Sequence, residues 1–377
     1  MKDVRKTRSH RNVRRAVAFV AALLVGGAIP ALGQREDDPH FKPVQHVGEQ
    51  AITISSSEGS GVLRYFATGS LDGAPGVTRA IINIHGLLRN ADSYEATGEA
   101  AIAAAHEAAG TTLLITPQFL AEIDVSGHSL PPDTLRWNVG SWLDGSPALA
   151  PAPLTAFSVL DAVLQRLADR TRFPALREIV VAGHSAGGQL VQRYAVVGRA
   201  PDAVTSPSLA VRFVVANPSS YLYFDGERPS GDGFAVFDSR ACPGYNRWKY
   251  GPVDPPHYVQ GSIEGLEARY VRRDVTYLLG MRDVDPNHPV LDKSCAGEAE
   301  GPYRLARGLA YVKYLETRHA STNQSLAEVA GVDHDALGMF TSSCGLAVLF
   351  DRPRSACATA RAVAASSNYS ARSAPRS

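Results

Sequence analysis

The chain has 377 residues, 45% of them hydrophobic and 20% charged, proportions near the globular average that exclude a disordered, fibrous or polytopic membrane protein. Its formal net charge of +1 hides a split, because residues 1–33 carry seven Lys or Arg and one acid. The remainder is therefore mildly acidic, which argues against a nucleic-acid partner.

The basic residues between Lys2 and Arg15 precede an apolar run from Ala16 to Ile29, the pattern of a secretory signal peptide. The small-residue site Ala31-Leu32-Gly33 places cleavage before Gln34, making 1–33 a removed segment. The run is too short, and too interrupted by Gly26, Gly27 and Pro30, to serve as a lasting membrane span. The Arg14-Arg15 pair matches part of a twin-arginine signal, but its flanking residues fit poorly. The expected location is secreted or periplasmic. Cys242, Cys295, Cys344 and Cys357 would then meet an oxidising compartment. Of the three connectivities, Cys242 with Cys295 and Cys344 with Cys357 is preferred, because each closes a short loop late in the chain. No CxxC spacing supports a zinc or redox site.

Along the expected mature chain, Ile52 to Ile54, Leu63 to Thr68 and Arg79 to Ile84 read as short strands separated by Gly, Ser and Asp clusters. Ala91 to Ala109 reads as a helix ended by Gly110, and Thr112 to Thr116 as a buried strand. A Pro- and Gly-rich loop from Asp124 to Pro153 precedes an amphipathic helix from Thr155 to Arg170, with Phe157, Leu160, Val163, Leu164 and Leu167 on one face. Glu178 to Ala182 is a strand, Gln189 to Val197 a helix, and Val211 to Ala216 a strand. Residues 218–265 break the alternation. It resumes with a strand at Val275 to Leu279, a helix at Arg304 to Arg318, a strand at Ser325 to Val329 and a last helical segment from Ala336. Alternating strand and helix implies a parallel sheet covered on both faces. Residues 34–351 read as one domain, with an insertion at about 217–265 and an Ala-, Ser- and Arg-rich tail at 352–377.

The chemistry centres on Gly183-His184-Ser185-Ala186-Gly187-Gly188, a G-x-S-x-G pattern between a strand and a helix. The serine of such a turn sits where flanking side chains would collide, hence the glycines, and its hydroxyl meets the positive end of the next helix. Gly127-His128-Ser129-Leu130-Pro131 resembles the pattern but follows no strand and opens no helix, so Ser129 reads as a loop serine. Upstream, a strand ends in His85-Gly86-Leu87-Leu88-Arg89, a turn suited to lend one backbone N–H, that of Leu87, to an oxyanion; Ala186 would lend the other.

Downstream, Gly280-Met281-Arg282-Asp283 places a carboxylate past the C-terminal end of a strand, where ligands collect in parallel sheets. Asp285 is its nearby rival, and Asp274 lies at the wrong end of the strand. The series Asp283, Asp285, Asn287 mimics a calcium loop, but His288 stands where glycine is required. Gly331-Val332-Asp333-His334-Asp335 then supplies a histidine, giving the chain order Ser185, Asp283, His334. No HExxH occurs, and the reading implies no metal and no cofactor.

With these motifs the sequence resembles the α/β-hydrolase superfamily from about Ile52 to Phe350, and within it secreted esterase- or lipase-like serine hydrolases. The resemblance implies an eight-stranded, mostly parallel sheet with helices on both faces and a cap-like insertion. It also implies that Ser185 attacks an acyl carbon, His334 carries the proton and Asp283 holds the imidazole. The expected substrate is a small or polymeric carboxylic ester. A peptidase or amidase with the same triad, and a non-catalytic binding protein on the same scaffold, are the alternatives. Aromatic residues of the insertion, Tyr223 and Trp248 among them, together with Trp142, are candidates for a substrate-binding wall. The competing reading makes these rings core. Arg89 is a candidate for a substrate carboxylate or, alternatively, an exposed charge beside a turn.

Overall fold

A computed structural model describes residues 38–107 and 110–364. The expected signal peptide lies outside the described residues. The strands are β1 (Gln50–Ser56), β2 (Gly59–Ala67), β3 (Arg79–Ile84), β4 (Thr112–Gln118), β5 (Glu178–His184), β6 (Ala210–Ala216), β7 (Glu227–Ser230), β8 (Gly233–Val236), β9 (Asp274–Gly280), β10 (Gln324–Val329) and β11 (Thr359–Ala362). Nine of them form one sheet in the order β1-β2-β4-β3-β5-β6-β9-β10-β11, and β7 pairs with β8 in a separate hairpin. From β4 to β10 all neighbours are parallel, while β1, β2 and β11 join antiparallel at the edges.

The central strands are near-continuous apolar runs because both faces are covered. Successive residues point to opposite faces: Val181 and Val215 join one buried cluster, Val180 and Val214 the other. One face is packed by α1 (Ala91–Ala104), α6 (Ala336–Thr341) and α7 (Ser343–Leu349), and the other carries α2 (Ala156–Leu167), α3 (Ala186–Val197) and α5 (Arg304–Arg318). The stripe Phe157, Leu160, Val163, Leu164, Leu167 of α2 is fully buried, and Thr155 caps the helix by accepting from the Ser158 N–H. Every residue of α3 is buried, since this helix runs between the sheet and the insertion.

Three features depart from the sequence expectation. The sheet has nine strands rather than eight, because the tail contributes β11, a short, mostly exposed edge strand. Its residues carry little β signal of their own; pairing with β10 and the nearby Cys344–Cys357 disulfide hold it. At the end of the stretch read as a break and beyond it, Ile263–Tyr270 forms helix α4, capped by Ser262. The insertion also holds an unanticipated hairpin, β7/β8, whereas the cysteines pair as expected, Cys242 with Cys295 and Cys344 with Cys357. No helix among the described residues is long and apolar enough to cross a membrane.

Candidate active site

β5 runs directly into Ser185, whose backbone has φ 60° and ψ −120°, a conformation a non-glycine residue adopts only when its surroundings enforce it. They do so here. The Ser185 N–H donates to Ala216 O at the end of β6, 3.0 Å away. A Cβ on Gly183 would lie 2.5 Å from the carbonyl of Gly187, and one on Gly187 would lie 2.2 Å from Ile84 O. The turn is therefore wedged against the ends of β3 and β6, and only glycine fits on either side. Ala186 opens α3, so its N–H has no carbonyl within the helix to bond.

Asp283 and His334 follow the C-terminal ends of β9 and β10, which are neighbours in the sheet. The two turns are stapled together: Met281 N–H donates to Val329 O at 3.0 Å and Arg282 N–H to Val332 O at 2.9 Å. Asn217, just past β6, completes the staple by accepting from Gly280 N–H at 2.8 Å and donating to Asp333 O at 3.2 Å. As a result His334 Nδ1 lies 2.7 Å from Asp283 Oδ2, and His334 Nε2 lies 3.0 Å from Ser185 Oγ. With Nδ1–H donating to the carboxylate, Nε2 faces the Ser185 hydroxyl as a hydrogen-bond acceptor. Asp335 is occupied elsewhere, capping α6 through the N–H groups of Leu337 and Gly338. The rival Asp285 is exposed and accepts from Asn287 N–H.

Burial pushes the Asp283 carboxyl up from its ordinary value, opposed by Arg304, whose Nη1 lies 3.4 Å from Oδ1. Burial, then the Arg304 cation and His288, pull His334 below the ordinary imidazole range. The ring is therefore neutral near pH 7, the form that can accept a proton. Sequence reasoning missed Arg304, which stands at the start of α5 and carries no motif. It missed the role of Asn217 too, although a polar residue at the C-terminal end of a strand was a usable signal.

His85 is fully buried, and that burial lowers its pKa to about 4. Its Nε2 accepts from the Phe119 N–H at 3.0 Å, so its Nδ1 carries the proton and donates to Gly86 O at 2.8 Å. Arg89 N–H donates to the same oxygen. In a trans peptide the N–H points opposite to the carbonyl, so fixing Gly86 O also fixes the Leu87 N–H. Leu87, Ala186 and Ser185 all border one cavity of about 390 Å³, and Leu87 and Ser185 border a second of about 320 Å³.

No protein-family model and no curated protein matches the chain. Solved structures do. The chain is similar to poly(aspartic acid) hydrolase-1 from Sphingomonas sp. KT-1, at 23% identity and a TM-score of 0.52, over 79% of this chain and 96% of that one. It is similar also to LpqC, a poly(3-hydroxybutyrate) depolymerase from Bordetella parapertussis, at 22% identity and a TM-score of 0.54, over 82% of this chain and 92% of that one. The chain has the α/β-hydrolase fold.

Within this α/β-hydrolase fold the three aromatics that were candidates for a substrate wall do not line the two cavities. Trp142 is fully buried, stacked on Phe119 and edge-on to His85 at 4.6 Å, so it backs the turn before Leu87. Tyr223 is fully buried against Tyr311 and Tyr314 under the Arg228 guanidinium. Trp248 is half-buried, its Nε1–H donating to Asp144 O at 2.6 Å. None of the three borders either cavity; of the insertion's aromatics, Tyr250 does. The physical reason is that a long insertion can build only a small cluster of its own, Tyr245 with Phe237 and Tyr250 around Cys242, so Tyr221, Tyr223 and Phe224 are driven into the main core beside α3 and α5. Both readings of Arg89 are corrected as well. It is fully buried and bidentate to Asp124, with Nε 2.6 Å from Oδ2 and Nη2 3.1 Å from Oδ1. Ser129 lies in a turn after the short helix Glu122–Gly127.

Proposed function

We propose that this chain is a secreted serine hydrolase that cleaves carboxylic esters through an acyl-enzyme at Ser185. The observation that carries the reading is the chain of contacts from Ser185 Oγ to His334 to Asp283. Ser185 Oγ would attack the ester carbonyl carbon while its proton passes to His334 Nε2. The carbonyl oxygen becomes an anion held by the N–H groups of Leu87 and Ala186. As the carbonyl re-forms, the C–O bond to the alcohol breaks and His334 returns its proton to that oxygen. Water, deprotonated by the same nitrogen, then releases the acid and restores the serine. Asp283 keeps the imidazole in the tautomer that makes Nε2 the acceptor.

The two solved structures named above act, by name, on a polyester and on poly(aspartic acid), and their shared fold supports a polymeric or oligomeric substrate. The N-terminal signal pattern and the two cysteine pairs support an oxidising compartment outside the cytoplasm.

The test is turnover of matched ester and amide substrates by the native chain, Ser185→Ala and His334→Ala. The reading expects ester turnover that falls by a factor on the order of 10³ or more in each variant. Equal or faster amide turnover would move the assignment to an amidase. No turnover of either class by folded native protein would favour a binding protein.

A further inference from the structure

Residues 38–48 form a strap that the sequence does not announce. It is held by the body mainly through its backbone. Arg89, buried and paired with Asp124, donates from Nη1 to His40 O and from Nη2 to Lys42 O, both at 3.0 Å. Asp124 Oδ1 accepts from Val44 N–H at 2.9 Å, and His128 Nε2 lies 2.7 Å from Val44 O. Gln118 binds the far end, accepting from Gly48 N–H and donating to His46 O. At Gly48 the strap lies so close to β2 that a Cβ would sit 2.5 Å from the Tyr65 carbonyl.

The consequence lies at the other end of the strap. The two cavities beside Ser185 share four residues: Ser185, Leu87, His40 and Val290. Ser185 and Leu87 belong to the turns at the sheet edge, whereas His40 comes from the strap and Val290 from the loop after Asp283. Each of these two is fixed by a buried arginine that is itself paired with an aspartate. Arg89 holds His40 O, and Arg304, paired with Asp283, donates to Val290 O at 2.8 Å. The His40 ring is further oriented by Asp38, whose Oδ1 lies 2.6 Å from Nδ1, while Nε2 is buried with no partner in the protein.

We propose that the strap is a substrate-contacting part of the active site and that His40 is its specificity-determining residue. With Val290, it forms a waist separating the cavity that takes the acyl group from the one that takes the leaving group. The proposal rests on Ser185 being the nucleophile. A waist of this kind limits how far an acyl chain can extend past the scissile bond, so its loss changes selectivity by chain length and leaves the chemistry intact.

The experiment compares native protein, His40→Ala and His40→Phe on p-nitrophenyl esters from acetate to octanoate, with the rate of fluorophosphonate labelling measured in parallel. Expected is a change of about tenfold or more in the octanoate-to-acetate ratio of kcat/KM for His40→Ala. His40→Phe, which keeps a ring at the waist, should retain the native ratio within about threefold. All three proteins should still take up one fluorophosphonate adduct per chain, whatever the rate. A His40→Ala ratio within twofold of native, or a His40→Phe ratio displaced as far as that of His40→Ala, overturns the proposal while normal labelling leaves Ser185 standing. Failure of the native protein to label overturns both.

Discussion

The insertion at 217–265 and the strap at 38–48 both reach the edge of the sheet where Ser185 stands, and they are built in opposite ways. The insertion is long and rich in aromatic residues, carries a disulfide to the segment after β9 with a small aromatic cluster around it, and buries Tyr221, Tyr223 and Phe224 in the main core. The strap is short, has no core of its own, and is held by a buried Arg89–Asp124 pair that grips its carbonyls. Aromatic density leaves the insertion readable in sequence either as a substrate wall or as core, and its buried rings Tyr221, Tyr223 and Phe224 belong to the core. The inconspicuous strap, through His40, borders both cavities beside Ser185, whereas the insertion reaches only one of them, through Ser219, Lys249 and Tyr250.

Substitutions can break this contrast. Removing Arg89 as Arg89→Met leaves the buried Asp124 carboxylate unpaired and should cost about 3 to 5 kcal/mol, read from urea unfolding. Tyr223→Ala should cost a similar amount, about 3 to 5 kcal/mol, because it opens a cavity in the core. It should leave kcat/KM per labelled active site unchanged, and a change in ester selectivity would return Tyr223 to the substrate wall. Replacing both Cys242 and Cys295 by serine should cost about 2 to 4 kcal/mol, again by urea unfolding. Tyr223→Phe should change stability by less than about 1 kcal/mol, since the Tyr223 hydroxyl is buried without a partner and its removal strands nothing.

The pH profile sharpens the account of the site. His334 must be neutral to act, so kcat/KM should rise with pH through its pKa and be lost on the acid side. Because burial and Arg304 lower that pKa, the acid limb should lie below the ordinary imidazole value. Arg304→Gln removes one cause of the lowering, so the limb should move to higher pH. A limb that stays in place in Arg304→Gln would show that Arg304 does not act on His334.

The turn at Ser185, the acid turn at Asp283 and the histidine turn at His334 were legible in the sequence because each follows an apolar strand and carries a local pattern. The parallel sheet was legible for the same reason, since periodicity and alternation are local. What was not legible depends on distant contacts. Arg89 and Asp124 are 35 positions apart, and no local pattern says that a charged residue beside a turn will be buried. Arg304 meets Asp283 from another element, and β11 exists because β10 offers an edge and a disulfide holds the chain near it. His40 lies in a segment with no periodicity at all; only its anchoring to Asp124, Arg89 and Gln118 gives it a place.

The central claim, an activated serine at position 185, is tested most directly by labelling the purified protein with a fluorophosphonate and measuring intact mass, for the native chain and for Ser185→Ala. The account predicts one adduct on the native chain and none on the variant. An unlabelled native chain that is correctly folded, or an adduct that survives in Ser185→Ala, would contradict it.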